Sequence, residues 1–169
     1  YLALKSGHFL YDSESSVAID LLSLKYRTKQ HRVSQFTALH IFVVTLRCDY
    51  TCQYCQVSRR MEDEGDFDMS QDSAEAALDM LFLSPAHELK IEFQGGEPLL
   101  NFDLIKFIVH RAHEKNFDNR KKIDFVITTN LSMLDEKILS FCELHGIFLS
   151  TSLDGPQGLH DKNRPKSGK

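Results

Sequence analysis

Leu39-His40-Ile41-Phe42-Val43-Val44-Thr45-Leu46 runs through Arg47 into Cys48-Asp49-Tyr50-Thr51-Cys52-Gln53-Tyr54-Cys55. The first part is a short β-branched and aromatic run, the pattern of a strand buried on both faces. A cysteine-rich loop leaves its carboxyl end. Toward the C-terminus the same unit recurs. Ser70 is placed to cap a helix with Ala74, Ala77, Leu78, Leu81 and Phe82 on one face, and Ser84-Pro85 ends it. Leu89 to Phe93 reads as a second strand and Gln94-Gly95-Gly96-Glu97-Pro98 as its loop. Asn101 is positioned to cap a helix bearing Ile105, Ile108, Val109 and Ala112. Ile123 to Thr128 reads as a third strand, ending at Thr129-Asn130. Ser132 with Asp135 has the form of a capping box for a helix with Ile138, Leu139, Phe141 and Cys142 inward and Gly146 as its stop. Ile147 to Ser152 is a fourth strand, broken by Asp154-Gly155-Pro156.

Strands alternating with helices of this length predict βαβ units and a parallel α/β sheet. Cys48/Cys52/Cys55, Gly95-Gly96-Glu97, Thr129-Asn130 and Ser152/Asp154 all fall just beyond successive strand ends. In parallel α/β folds that edge is where active sites are built.

The remainder of the chain reads more plainly. Glu62, Asp63, Glu64, Asp66 and Asp68 form an acidic, solvated linker. Residues 1–38 are expected to be a small extension, with 39–169 as the core. Tyr1-Leu2-Ala3-Leu4 and His8-Phe9-Leu10-Tyr11, around Ser6-Gly7, suggest a hairpin. Val17 to Leu24 carries a short helical pattern, and Lys25 to Arg32 is basic and polar. The histidines show no ligand constellation. His110 and His113, an i,i+3 pair, are expected at the surface.

Composition bounds the function. At 169 residues, 42% hydrophobic and 26% charged, the chain has the make-up of a globular protein rather than a disordered or collagen-like one. A formal charge of −4 without a dominant basic block argues against a nucleic-acid or anionic-membrane binder. The longest uncharged stretch, Val33 to Leu46, is too short and polar for a membrane span. No signal peptide opens the chain, so a reducing, cytoplasmic setting is expected.

Of the four cysteines, three crowd into eight residues and Cys142 stands apart on a helix face, as a small core residue would. Such a cluster points to a metal rather than a disulfide framework. Zinc sites are normally closed by two ligand pairs, and iron–sulfur clusters usually take four thiolates. Three thiolates in CxxxCxxC leave one iron of a cubane open to an exogenous ligand. The alternative is a non-catalytic zinc or electron-transfer module with a borrowed fourth ligand. Such a module has no use for the Gly95-Gly96-Glu97-Pro98 loop.

Cys48-Asp49-Tyr50-Thr51-Cys52-Gln53-Tyr54-Cys55 resembles the CxxxCxΦC signature of the radical SAM superfamily, and Gly95-Gly96-Glu97-Pro98 its GGEP motif. Ser152-Leu153-Asp154-Gly155-Pro156 with His160-Asp161-Lys162-Asn163-Arg164-Pro165 is similar to the anaerobic sulfatase maturases and related peptide-modifying enzymes. Phe42 to Arg47 and Cys55 to Arg60 look most like the maturase of the His-Xaa-Ser peptide system. The resemblance spans about residues 39–165.

The resemblance implies a [4Fe–4S] cluster on Cys48, Cys52 and Cys55, with S-adenosylmethionine (SAM) on the fourth iron. It implies SAM contacts from Tyr54 (adenine), Gly95, Gly96 and Glu97 (amino group), Asn130, Ser152 (ribose) and Arg164 (carboxylate). Leu131 replaces the glycine of the family's Thr-Asn-Gly stretch, at a tight turn. The implied enzyme cleaves SAM reductively and uses the resulting radical on a peptide or protein substrate, encoded nearby, with a low-potential electron donor as partner.

The implied fold is a (β/α)6 partial barrel. A barrel uses roughly 31 residues per unit, and roughly 130 residues run from Leu39 to Lys169. About four of six units are therefore expected, as a C-terminally truncated core that is inactive by itself.

Overall fold

The structure is a computed structural model that describes residues 1–7, 9–10, 16–31 and 37–167. The chain divides into two compact units, Tyr1–Thr37 and Ala38–Lys169.

The first unit is helical. Helix α1 spans Leu2–Ser6 and α2 spans Val17–Gln30. The expected hairpin is therefore corrected in its first arm; His8 and Tyr11 lie outside the described residues. Leu2, Ala3, Leu4 and Lys5 are helix formers without β-branching, so the local preference is helical. Helix α2 continues through the basic stretch, whose Arg27 and Lys29 oppose the negative end of the helix dipole. Neither helix buries a residue.

The second unit is a parallel four-stranded sheet in the order β1-β2-β3-β4, with β1 Leu39–Thr45, β2 Glu88–Gly95, β3 Lys122–Thr128 and β4 Ile147–Ser150. Helices α3 (Gln71–Phe82), α4 (Phe102–Asn119) and α5 (Glu136–His145) connect them, and α6 (Gln157–Asn163) follows β4. Sequential parallel order is barrel-type winding; a doubly wound sheet would reverse its order at a switch point.

The core lies on one side of the sheet. Phe42, Val44, Leu89, Ile91, Phe93, Phe125 and Ile127 pack against Ala74, Leu78, Leu81, Ile105, Ile108, Val109, Ala112, Ile138 and Cys142 of the helices. The expectation that β1 is buried on both faces is corrected: Leu39, Ile41 and Val43 are exposed. Successive side chains of a strand point to opposite faces, and helices cover only one of them. Leu139, expected inward, is also exposed.

Capping explains where the helices begin. Ser70 caps α3 through its Oγ, which accepts the Ser73 N–H at 3.1 Å. Asp135, rather than Ser132, caps α5 by accepting the Ile138 N–H at 2.8 Å. Asn101 stands at the N-cap of α4 but makes no cap bond; its Nδ2 donates to the Val44 carbonyl at 2.9 Å. Gly146 ends α5 in the left-handed conformation, as the sequence predicts.

The paired histidines His110 and His113 lie at the surface of α4, as expected, where α5 meets them. His145 of α5 packs against His110 and His113 of α4, with ring centroids 5.1 and 5.6 Å apart, and against Phe141 at 4.3 Å. Burial lowers the proton affinity of both His113 and His145.

Candidate active site at the strand ends

Register carries the site residues to one edge. The pairing of β1 with β2 shifts after Val43↔Gln94, so that Thr45 faces Gly95. Beyond the shift the two loops stay bonded: Gly96 N donates to Thr45 O at 2.9 Å and Glu97 N to Arg47 O at 2.7 Å. A Cβ on Gly95 would stand 2.0 Å from the Thr45 carbonyl oxygen, and one on Gly96 2.1 Å from that of Arg47. Gly95 also adopts φ +136°, which side chains other than glycine's rarely allow. Both glycines are thus required by the approach of the chain to itself, behind the cysteine loop.

Arg47 anchors this junction from beneath. Its Nε and Nη2 grip both oxygens of Asp68 at 2.8 and 2.7 Å, and Nη2 also donates to Leu100 O at 3.0 Å. Thr45 Oγ1 donates to the same Asp68 at 2.6 Å. Asp68 is therefore part of the scaffold and not of a solvated linker, because a two-toothed arginine pair holds it in place.

A cavity of about 370 Å3 opens above the strand ends, within the range of small-molecule sites. Cys48, Cys52, Cys55, Tyr54, Gly95, Gly96, Asn130, Ser152 and Arg164 all line it, together with Gln94 and Thr128. The structure thus brings together nine of the ten sequence-predicted site residues. The three thiols are free, with Cys48 buried and Cys55 exposed. Burial pushes the Cys48 thiol up to about 11, and burial also raises Cys52, against the pull of Arg164.

Glu97 is the exception. It is fully buried and does not line the cavity. Its Oε1 accepts Thr129 Oγ1 at 2.6 Å and Leu99 N at 3.0 Å, while Oε2 accepts Asn130 N at 2.7 Å. Glu97 clamps the β2 loop to the β3 loop. Burial raises its proton affinity, and these three bonds oppose that rise.

Asp49 escapes a sequence reading, because a residue inside a cysteine motif reads as filler. It is 1% exposed and receives Asn130 Nδ2 at 2.8 Å and Ser132 Oγ at 2.5 Å. It therefore fixes Asn130 against the cysteine loop. Leu131 occupies the turn where the resembled family has glycine, and it adopts φ 67° there. The turn survives the replacement.

The chain after α6 folds back over the cysteine loop. Thr51 N donates to Pro165 O at 2.8 Å, Gln53 N to Asn163 O at 3.0 Å and Ser167 N to Asp49 O at 2.7 Å. Asp154 is the hub of this strap, accepting Tyr54 OH at 2.7 Å, Arg164 Nε at 2.9 Å and Asn163 Nδ2 at 3.1 Å. The Arg164 guanidinium lies 5.2 Å over the Tyr54 ring. Asp154 thus ties three side chains together.

Among the described residues, no three His, Cys, Asp or Glu side chains are placed to share a single metal ion. A zinc site gathers its ligands on one ion, whereas a cubane takes each thiolate on a separate iron. Three free thiols spaced around one cavity fit the cluster's donor set. Among the same residues, no helix is long and apolar enough to cross a membrane.

Comparison with known proteins agrees with this architecture. An uncharacterized protein of Methanocaldococcus jannaschii is 38% identical over 130 residues, covering 76% of this chain and 43% of its own. The radical SAM cyclopropyl synthase TigE of Paramaledivibacter caminithermalis is 26% identical over 92% of this chain and 35% of its own. The AdoMet-bound structure of anSMEcpe superposes with a TM-score of 0.66 at 24% identity, over 76% of this chain and 35% of that one. The chain spans about a third to two-fifths of the length of these relatives. The fold is accordingly part of a radical SAM (β/α) barrel, similar to that of anSMEcpe. The radical SAM family model matches residues 42–168, and the chain belongs to that superfamily.

Proposed function

We propose that Cys48, Cys52 and Cys55 hold a [4Fe–4S] cluster and that the adjoining cavity binds SAM, for radical modification of a peptide or protein substrate. The observation that carries this reading is the convergence of three free thiols and the ends of β2, β3 and β4 on one cavity. Held by these three thiolates, such a cluster would supply the electron from a low-potential donor that reductive cleavage of SAM, and hence radical chemistry on the substrate, requires.

The protein's own residues bind and position. The loop of Cys48 to Cys55 is held from below by Arg47 and from above by the strap, which keeps the thiols oriented before any ligand arrives. Gly95 and Gly96 present backbone at the cavity wall, suited to the SAM amino group. Glu97 and Asp49 fix Asn130 at that wall by its N–H and its amide. Ser152 offers a hydroxyl to the ribose. Tyr54 and Arg164 form the far wall, where a guanidinium suits the SAM carboxylate. For Arg164, that role would share its donors with Asp154, which engages Nε and leaves the terminal nitrogens for the ligand.

Relatives named anaerobic sulfatase-maturating enzymes support the reading of a peptide or protein substrate. A structure of anSMEcpe with AdoMet and a Cp18Cys peptide superposes at a TM-score of 0.64. The narrower likeness to the His-Xaa-Ser maturase is part of the proposal.

Anaerobic reconstitution tests the reading. The protein is expected to take up about four irons per chain, and SAM is expected to change the EPR signal of the reduced cluster. Cys52→Ala is expected to prevent assembly. Stoichiometric zinc with no response to SAM would favour the metal-module alternative and sink the enzyme reading.

A further inference from the structure

The face of the sheet turned away from the helices carries a carboxylate that the site above does not use. Because Phe93, Ile91 and Leu89 of β2 are buried against the helices, Glu92 and Gln94 point to the opposite, open face. Register places Glu92 in one row with Ile41 of β1, Val126 of β3 and, next to Val126, Phe148 of β4. Ile41 and Phe148 are exposed. Glu92 is thus the charged member of an otherwise apolar row.

One row nearer the strand ends stand Val43, Gln94, Thr128 and Ser150. Gln94 and Thr128 line the cavity that holds the thiols. Both donate to the same oxygen of Glu92: Gln94 Nε2 at 2.6 Å and Thr128 Oγ1 at 2.9 Å. Glu92 Oε1 is therefore saturated and the carboxylate fixed, which leaves Oε2 as the oxygen open to a further donor. The remaining charges of this face are matched to one another. Lys90 stands in register across from Asp124, and Lys122 lies 3.6 Å from Glu88.

We propose that Glu92 anchors a cationic side chain of the substrate, a lysine or arginine, on the open sheet face directly beneath the cavity. This inference rests on the function proposed above and names a feature of its substrate. The chemistry is that of a pre-oriented carboxylate with one oxygen to spare in an apolar row, a setting that suits a cation carried on an aliphatic stem. Ile41, Val126 and Phe148 would pack along the aliphatic stem of such a side chain, as they would along any long cationic residue. Gln94 and Thr128 would then tie the position of that cation to the wall of the cavity.

The test uses the reconstituted, SAM-loaded protein expressed from its complete reading frame. Short peptides blocked at both ends, with one central lysine, leucine or glutamate, are titrated and their binding read by saturation-transfer NMR. The lysine peptide is expected to bind about tenfold more tightly than the glutamate peptide. Glu92→Gln, which keeps an acceptor for Gln94 and Thr128, is expected to reduce that preference to about twofold or less. Glu92→Lys is expected to invert it, and Glu92→Asp, the check against misfolding, to retain it. Absence of a lysine preference in the unaltered protein, or its survival in Glu92→Gln, would overturn the proposal. The SAM response of the EPR signal is recorded on the same samples. Its absence overturns the function proposed above, whatever the peptides do.

Discussion

The Arg164 Nε donates to Asp154 Oδ1 at 2.9 Å, and both side chains are largely shielded from solvent. The family resemblance implies an arginine waiting for the SAM carboxylate. The structure instead supplies that arginine with a resident carboxylate, which Tyr54 and Asn163 also hold. Arg164 is therefore aimed at the cavity without needing a ligand to order it.

Asp154→Asn should loosen the strap over the cysteine loop. The Tyr54 hydroxyl, followed by Arg164 and Asn163, keeps the Asp154 carboxyl below its usual range. A lowered folded value means the interaction is present above the ordinary carboxylate range and is lost as pH falls through the folded value. The amide protection factors of Thr51 and Gln53, whose N–H groups bond to the strap, are expected to fall on acidification. In Asp154→Asn they should be low already at neutral pH and lack that acid step.

Removing the Glu97 clamp should cost stability rather than a ligand contact alone. Glu97→Ala leaves Leu99 N, Asn130 N and the Thr129 hydroxyl without their acceptor. Urea unfolding is expected to show a loss of about 3 kcal/mol. A loss below ~1 kcal/mol would mean that the clamp is dispensable.

Gly96→Ala places a methyl group against the Arg47 carbonyl, which cannot move without breaking its bond from Glu97 N. The expected destabilisation is about 3 kcal/mol. Thermal unfolding should register it even with no iron or SAM present, which separates self-packing from ligand approach.

Leu131→Gly should go the other way. A leucine at φ 67° carries left-handed strain of about 1–2 kcal/mol, and glycine's extra unfolded-state freedom offsets roughly half of it. A net gain of ~0.5–1 kcal/mol is expected in chemical unfolding.

The α3–α4 contact has its own acid signature. Arg111 and Lys115 bond to Glu75 and hold its carboxyl down at about 2. Its contribution is complete above the unfolded carboxylate value near 4.5 and disappears as pH falls toward 2. Glu75→Gln should be less stable than the unaltered chain at neutral pH, with the gap closing across that window.

Much of the second unit was legible in local patterns. Period-two and helical spacing located β1 to β4 and α3 to α5, and the faces of Ala74, Leu78, Ile105, Ile108 and Cys142 followed from that spacing. Helix α6 was hidden in a run of Gly, Pro and charge, and α1 in a stretch whose apolar residues imitated a hairpin arm. The position of each unusual residue at a strand end was readable as well, because strand direction follows from parallel winding.

Chain order and residue type therefore determined that three thiols, two glycines and a set of polar side chains meet at one edge of a parallel sheet. Tertiary structure alone decided what each of them does there. Asp49 and Asn130 lie 81 positions apart in the chain, and Tyr54 and Asp154 lie 100 apart. No local period encodes such pairs, since a hydrogen bond depends on where the backbone delivers two groups and not on their neighbours in sequence. For that reason Glu97 is a buried clamp between the β2 and β3 loops. For the same reason Asp68, which reads as solvated, is the counter-charge of Arg47, and Glu92 emerges only once register sets it beneath the cavity.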